Sequence, residues 1–159
     1  MAVSQKEIMK ILVINGPNIN MLGIREPDLY GKRTYKSLCD YITCTAEKYG
    51  IEVEIFQSNH EGAIVDRIQQ AYFEKIDGII INPAAYTHTS IAILDALLAA
   101  TIPTVEVHLT AIYKRDEFRH RSYISKAAIQ TITGKGFEGY EEAFKILLNT
   151  LQPLDSSDR

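Results

Sequence analysis

The sequence predicts a single α/β domain built on a parallel sheet with helices on both faces. Three observations predict it. Five short runs rich in β-branched residues recur along the 159 residues. Stretches of helical periodicity separate them in strict alternation, the pattern of a parallel sheet wound by crossover helices. Several of the strand runs are apolar almost throughout, as strands buried on both faces must be.

Taken in order, the first strand is Lys10–Asn15, where Ile11-Leu12-Val13-Ile14 is unbroken. Residues 1–8, MAVSQKEI, read as a short polar leader. A long loop rich in Asn, Gly and Pro leads to a helix over Thr34–Tyr49, capped by Thr34 and stopped by Gly50. The second strand is Glu52–Gln57. The helix over Gly62–Phe73 puts Ile64, Ile68 and Tyr72 on one stripe. Gly78–Asn82, with three consecutive isoleucines, is the third strand. Thr89–Ala100 is a helix with Ile91, Leu94 and Leu98 as its stripe. Thr104–His108 and Ala128–Thr133 are the fourth and fifth strands. The last helix, Tyr140–Leu151, carries Tyr140, Phe144, Leu147, Leu148 and Leu151 at helical spacing, and Pro153 ends it. Residues 9–152 thus form one domain, and 153–159 read as a disordered tail. Five strands suit the doubly wound, flavodoxin-like order 2-1-3-4-5. In such sheets the ligand sits outside the carboxyl ends of the strands where the order reverses, here between strands one and three.

Composition narrows the function. Apolar residues make up 46%, charged residues 23%, and the net charge is −3. That balance argues against nucleic acid as the main partner, which would need a basic surface. No apolar run is long enough to span a membrane and no signal-peptide pattern is present, so no membrane partner is expected. Cys39 and Cys44, five residues apart in one helix, face different directions. They read as two buried or half-buried thiols in a reducing cytoplasm, not as a disulfide or zinc site.

Gly134-Lys135-Gly136-Phe137-Glu138-Gly139 spells GxGxxG. A dinucleotide fingerprint belongs to a βαβ unit with an acidic residue on its second strand. Here a helix follows and no second strand does. The glycines read as a tight turn that permits close strand–helix packing.

The polar residues that look out of place fall at the carboxyl ends of strands one, three and four. After strand one come Asn15, Asn18, Arg25 and Tyr30. Asn82-Pro83 turns the chain out of strand three, and Thr87, Thr89 or Ser90 caps the next helix, leaving its amides toward the rim. His88 and Asp95 are two helical turns apart and so lie near one face. A solvated helix carboxylate is an equally open reading of Asp95. Glu106 and His108 project to the same side of strand four. A carboxylate beside an imidazole can orient it and favour its protonated form, which makes His108 a candidate general acid. Of Arg115, Arg119 and Arg121, one reaches back over the rim, and the others read as solvated or at a subunit contact. No metal-ligand spacing accompanies the histidines.

At this point the residues match a family. "INGPNINMLGIREPDLYG", "NPAAYTHTSIAILDAL", "VEVHLT" and "RDEFRHRSYIS" occur in order over about Met9 to Leu151. The chain resembles type II 3-dehydroquinate dehydratase, the shikimate-pathway dehydroquinase of aromatic amino acid biosynthesis. The resemblance implies a flavodoxin-like hydro-lyase that needs no metal and no cofactor and assembles as a homododecamer, a tetramer of trimers. It implies loss of water from 3-dehydroquinate to give 3-dehydroshikimate through an enolate. Position by position, Tyr30 matches the base and Arg25 the residue that activates it. Asn18 matches the residue that orients a water over the enolate oxygen, His108 the general acid, and Glu106 its partner. Asn82, His88, Arg119, Leu109 and Thr110 match substrate-binding positions. Asp95 matches one that reaches the site from a neighbouring subunit. The loop Gly23–Gly31 is expected to close over the substrate. Two positions depart from the family's pattern. Ala84 stands where a Gly often follows Asn-Pro, and Ala111 stands where an Asn is common. The alternatives are a flavodoxin-like binding module and a catalytically inactive homologue. The former would need a Ser/Thr-rich phosphate loop or a phospho-acceptor Asp at a strand end, and strands one to three end in Asn15, Gln57-Ser58 and Asn82.

Overall fold

The computed structural model describes residues 7–24 and 33–152. The expected leader lies mostly outside them, and so do Arg25, Tyr30, most of the proposed closing loop and the tail.

Five parallel strands, β1 (Lys10–Asn15), β2 (Glu52–Gln57), β3 (Gly78–Asn82), β4 (Thr104–His108) and β5 (Gln130–Thr133), form one sheet in the order β2-β1-β3-β4-β5. The helices are α1 (Tyr35–Lys48), α2 (Glu61–Phe73), α3 (Ile91–Ala100) and α4 (Glu138–Leu151). Alternation along the strands splits the core in two. Ile11 and Val13 of β1, Ile80, Val105 and Val107 face α1 and α4, against Leu38, Ile42, Tyr140, Phe144 and Leu147. Leu12, Ile14, Ile79 and Ile81 face α2 and α3, against Ile64, Ile68, Ile93, Leu94 and Leu97. Each such buried aliphatic side chain contributes roughly 1.5–3 kcal/mol relative to exposure. β1, β3 and β4 are buried on both faces because helices cover both, which is why β1 and β3 read as unbroken apolar runs, whereas β4 alternates its valines with Thr104, Glu106 and His108.

Local chemistry sets the ends. Thr34 and Ser37 form a reciprocal cap on α1: Ser37 N–H donates to Thr34 Oγ1 at 3.1 Å and Thr34 N–H to Ser37 Oγ at 2.8 Å. Gly50 follows α1 at φ +67°. Ser90, and neither Thr87 nor Thr89, caps α3, accepting from Ile93 N–H at 3.0 Å. At the switch point, Gly16 N–H donates to the Asn82 carbonyl at 2.8 Å, and a Cβ on Gly16 would lie 2.4 Å from the Pro83 oxygen. Only glycine lets the two loops meet there.

Several sequence expectations need correction. The α3 stripe is Ile93, Leu94, Ala96, Leu97 and Ala100, whereas Ile91 and Leu98 are 55% and 53% exposed. The helix is apolar nearly all round, so periodicity alone misassigned its buried face. Tyr72 is 56% exposed beside Phe73 at the end of α2. β5 starts at Gln130, two residues later than expected, because pairing with β4 begins at Val105 opposite Gln130. Cys39 is half-buried as expected, but Cys44 is exposed. His88 and Asp95 do not share a helix: His88 ends a short 3-10 turn, Ala84–His88, and α3 starts after Thr89 and Ser90.

Candidate active site

The loops leaving β1, β3 and β4 share one rim and enclose a cleft at the switch point. Asn18, Asn82, His88, His108, Leu109, Thr110 and Arg119 all line it. Glu106 stands directly behind His108. Asp95, on the exposed face of α3, is absent from this cleft. Arg25 and Tyr30 lie outside the described residues. Arg115 lines the cleft as well as Arg119, so two of the three arginines after β4 reach the rim where one was expected.

β4 holds the acid–base pair. Both side chains point to one face of a strand whose two faces are covered, so Glu106 is fully buried and His108 nearly so. A buried carboxylate needs partners. Glu106 accepts from Ser122 Oγ at 2.6 Å and Thr131 Oγ1 at 2.9 Å. Burial alone would push its carboxyl up, but His108 and the two hydroxyls outweigh burial and hold it below the ordinary glutamate range. His108 Nε2 lies 3.5 Å from Glu106 Oε2. That is ion-pair distance for a protonated ring but longer than a good hydrogen bond, and Nε2 has no hydrogen-bond partner among the described residues. The pair is thus an imidazole against a fixed anion.

The end of β4 is tied down by the glycine-rich turn. Gly134 N–H donates to the His108 carbonyl at 3.3 Å and Gly136 N–H to the Leu109 carbonyl at 3.0 Å. Both glycines have φ near +56° to +76°. This is what the GxGxxG run does: it brackets β4 and seats α4. Ala111 packs against Gly134, whose added Cβ would meet the Ala111 methyl at 3.2 Å.

His88 Nδ1–H donates to the Arg121 carbonyl at 2.7 Å. Burial, with the neighbouring His108 and Arg119 charges, lowers its proton affinity despite that bond. A neutral ring with Nδ1 protonated keeps Nε2 as an acceptor, suited to a ligand hydroxyl. Asn18 sits at φ +66°, and its N–H donates to Asn59 Oδ1 at 3.0 Å. Gln57 Nε2 braces the same oxygen at 3.2 Å and the Gly16 carbonyl at 3.1 Å. Sequence reasoning missed Gln57, Asn59, Ser122 and Thr131 as supports. The signal for the first two was their place at the carboxyl end of β2, beside the switch point.

Ala84 takes φ +52°, the left-handed region that favours glycine, with its N–H donating to Asn82 Oδ1 at 3.2 Å. A glycine would take this backbone without the Cβ strain that Ala84 carries. Among the described residues, no group of three or more His, Cys, Asp or Glu converges as a metal ion would require.

The family model for class II dehydroquinase matches residues 9–148. A 3-dehydroquinate dehydratase of Clostridium perfringens is 56% identical over 144 residues, covering 91% of this chain and 100% of that one. Another, from Caldicellulosiruptor bescii, is 56% identical over 131 residues, 82% of this chain and 90% of that one. Among solved structures, a type II dehydroquinase from Butyrivibrio crossotus superimposes with a TM-score of 0.86 at 51% identity, covering 88% of this chain and 97% of that one.

Proposed function

The chain belongs to the class II dehydroquinase family, and from that premise we propose that it is a 3-dehydroquinate dehydratase, a hydro-lyase that eliminates water from 3-dehydroquinate to give 3-dehydroshikimate. The observation that carries the reading is the cleft at the switch point, with His108 on its wall and the ionised Glu106 buried behind it.

The chemistry assigns the roles. Tyr30 takes the C2 proton, next to the C3 ketone. A phenol with its ordinary pKa of about 10 is a poor base at neutral pH. Arg25, always charged, favours the phenolate. The electrons from the C–H bond form an enolate, and Asn18, through a held water, donates to its oxygen. His108 then protonates the C1 hydroxyl as the C–O bond breaks, and Glu106 orients the ring. The Asn82 carboxamide and the amides of Leu109 and Thr110 hold the carboxylate. Arg119 and His88 hold ring hydroxyls, and Asp95 joins them from a neighbouring subunit of a homododecamer. The apolar outer face of α3 supports such an assembly. Two unpaired cysteines agree with a reducing cytoplasm, and the activity is one that the shikimate pathway uses. No metal or cofactor enters the reaction.

Purified protein mixed with 3-dehydroquinate should generate the absorbance of a conjugated enone. Tyr30→Phe should nearly abolish it while product-like ligands still bind. His108→Ala should block elimination, with solvent exchange at C2 surviving. No enone across varied pH and protein concentration would favour an inactive homologue.

A further inference from the structure

Beneath the cleft, β1 and β3 lie side by side, and Asn15 and Asn82 are register partners at their carboxyl ends. Both are buried. Tyr140, from the first turn of α4, is fully buried and sets its hydroxyl between them. The hydroxyl donates to Asn15 Oδ1 at 2.6 Å and accepts from Asn82 Nδ2 at 3.2 Å. On its other side, Asn82 Oδ1 accepts from Ala84 N–H at 3.2 Å.

A phenol has one proton. Once that proton goes to Asn15, the Tyr140 oxygen can only accept from Asn82. A flipped Asn82 carboxamide would set its oxygen against the Tyr140 oxygen and its NH2 against the Ala84 N–H. Both contacts would then oppose like to like in a buried site, where unpaired polar groups are costly. Asn82 lines the cleft, and with Oδ1 and one Nδ2 hydrogen already engaged, the second Nδ2 hydrogen is the group left for a ligand. Burial also pushes the Tyr140 phenol above its ordinary range, so it keeps its proton at working pH. Gly139 lets α4 come close enough: a Cβ there would lie 3.2 Å from Val107 Cγ1 and 3.4 Å from Ile132 Cγ2.

We propose that Tyr140 is a positioning residue that locks the Asn82 carboxamide with an N–H toward the cleft, so that this subsite selects a carboxylate oxygen. The proposal rests on the substrate reading above, which gives Asn82 to the carboxylate. Asn15 takes the Tyr140 proton and the Ala84 N–H holds Asn82 Oδ1, so the two ends together fix the polarity of the relay. Its own Nδ2 is buried with no partner among the described residues.

Steady-state kinetics of Tyr140→Phe test this, together with Kd values for a product-like cyclohexene carboxylate and its neutral carboxamide analogue. KM and the carboxylate's Kd should rise about 10-fold, the scale of one hydrogen bond to a charged group. The kcat should change little, because the carboxylate is held alike in ground and transition states. The preference for carboxylate over carboxamide should shrink. Asn15→Leu keeps the shape, deletes the orphaned donor and frees the Tyr140 proton for Asn82. It should raise KM in the same way, and it decides the matter if Tyr140→Phe does not fold. A lower thermal midpoint with wild-type KM and wild-type ligand preference would make the relay purely structural and overturn the proposal. If wild type turns over 3-dehydroquinate while both variants keep its KM, the relay alone is wrong. If wild type does not turn over, the substrate reading is wrong, and the carboxylate-over-carboxamide preference then tests the lock directly.

Discussion

Glu106 shows how one buried charge is made to serve a site. Two hydroxyls and an imidazole surround it, so its carboxyl stays ionised despite complete burial. Glu106→Gln keeps the shape and leaves Ser122 and Thr131 with partners, because hydroxyls can rotate. It removes the anion behind His108. The kcat should fall roughly 100-fold, toward the low end of what general acid catalysis contributes. KM should stay within a few-fold; wild-type kcat in this variant would remove Glu106 from the mechanism. Ala84 makes a second prediction. Its left-handed backbone costs roughly 1–2 kcal/mol, offset in part by the lower chain entropy of alanine when unfolded. Ala84→Gly should therefore stabilise the protein by about 0.5–1 kcal/mol in denaturant titration. A loss of stability would mean that the φ +52° conformation is not strained. Both residues were visible in the sequence, Glu106 by its two-residue spacing from His108 and Ala84 as a departure from the family's glycine. The angle that makes the departure matter was not, because φ at a loop position depends on where Pro83 and Asn82 are pinned.

At the level of elements, α1 and α4 are fastened by one carboxylate. Glu141 of α4 accepts from the Tyr49 hydroxyl at 2.8 Å, Lys48 Nζ at 3.0 Å and the Tyr41 hydroxyl at 3.2 Å. Tyr49 first, then Lys48, hold its carboxyl down at about 2, from an ordinary 4.5. A depressed carboxyl stabilises the fold where the unfolded chain is also ionised, above about pH 4.5, and that help disappears as pH falls through about 2. Glu141→Gln should melt below wild type at neutral pH, with the gap closing across that acid window. A gap that persists at the acid end would mean packing, not charge, is lost. Strands β1 and β3 were legible because burial on both faces writes an unbroken apolar run, and β4 by its alternating valines. The buried face of α3 was not, since an almost wholly apolar helix carries no stripe to read.

For the whole molecule, the open question of α3 becomes a statement about assembly. Ile91, Asp95 and Leu98 fall on one exposed face, at i, i+4 and i+7. Asp95 is absent from its own cleft, as the proposed subunit-crossing role requires. Leu98→Glu places a charge on that face without touching the core. Light scattering should show smaller species than wild type, and turnover should fall at least about 10-fold, since a site that needs a neighbour's carboxylate loses an interaction worth a hydrogen bond to a charged group. An unchanged assembly with full activity would move the interface elsewhere.

By itself the sequence determined the α/β alternation, the strand order, the rim on which the polar residues gather and the pairing of Glu106 with His108. The alternation and the Glu106–His108 pairing are consequences of periodicity and chain-local spacing, whereas the strand order and the shared rim came from the fold pattern that five such strands suit. The family's motifs extended that reading to the chemistry. Tertiary structure alone decided how the site is held. Asn59 meets Asn18 across 41 residues, and Tyr140 meets Asn15 across 125. Such hydrogen bonds have no spacing signature, because their partners are brought together by the packing of whole elements.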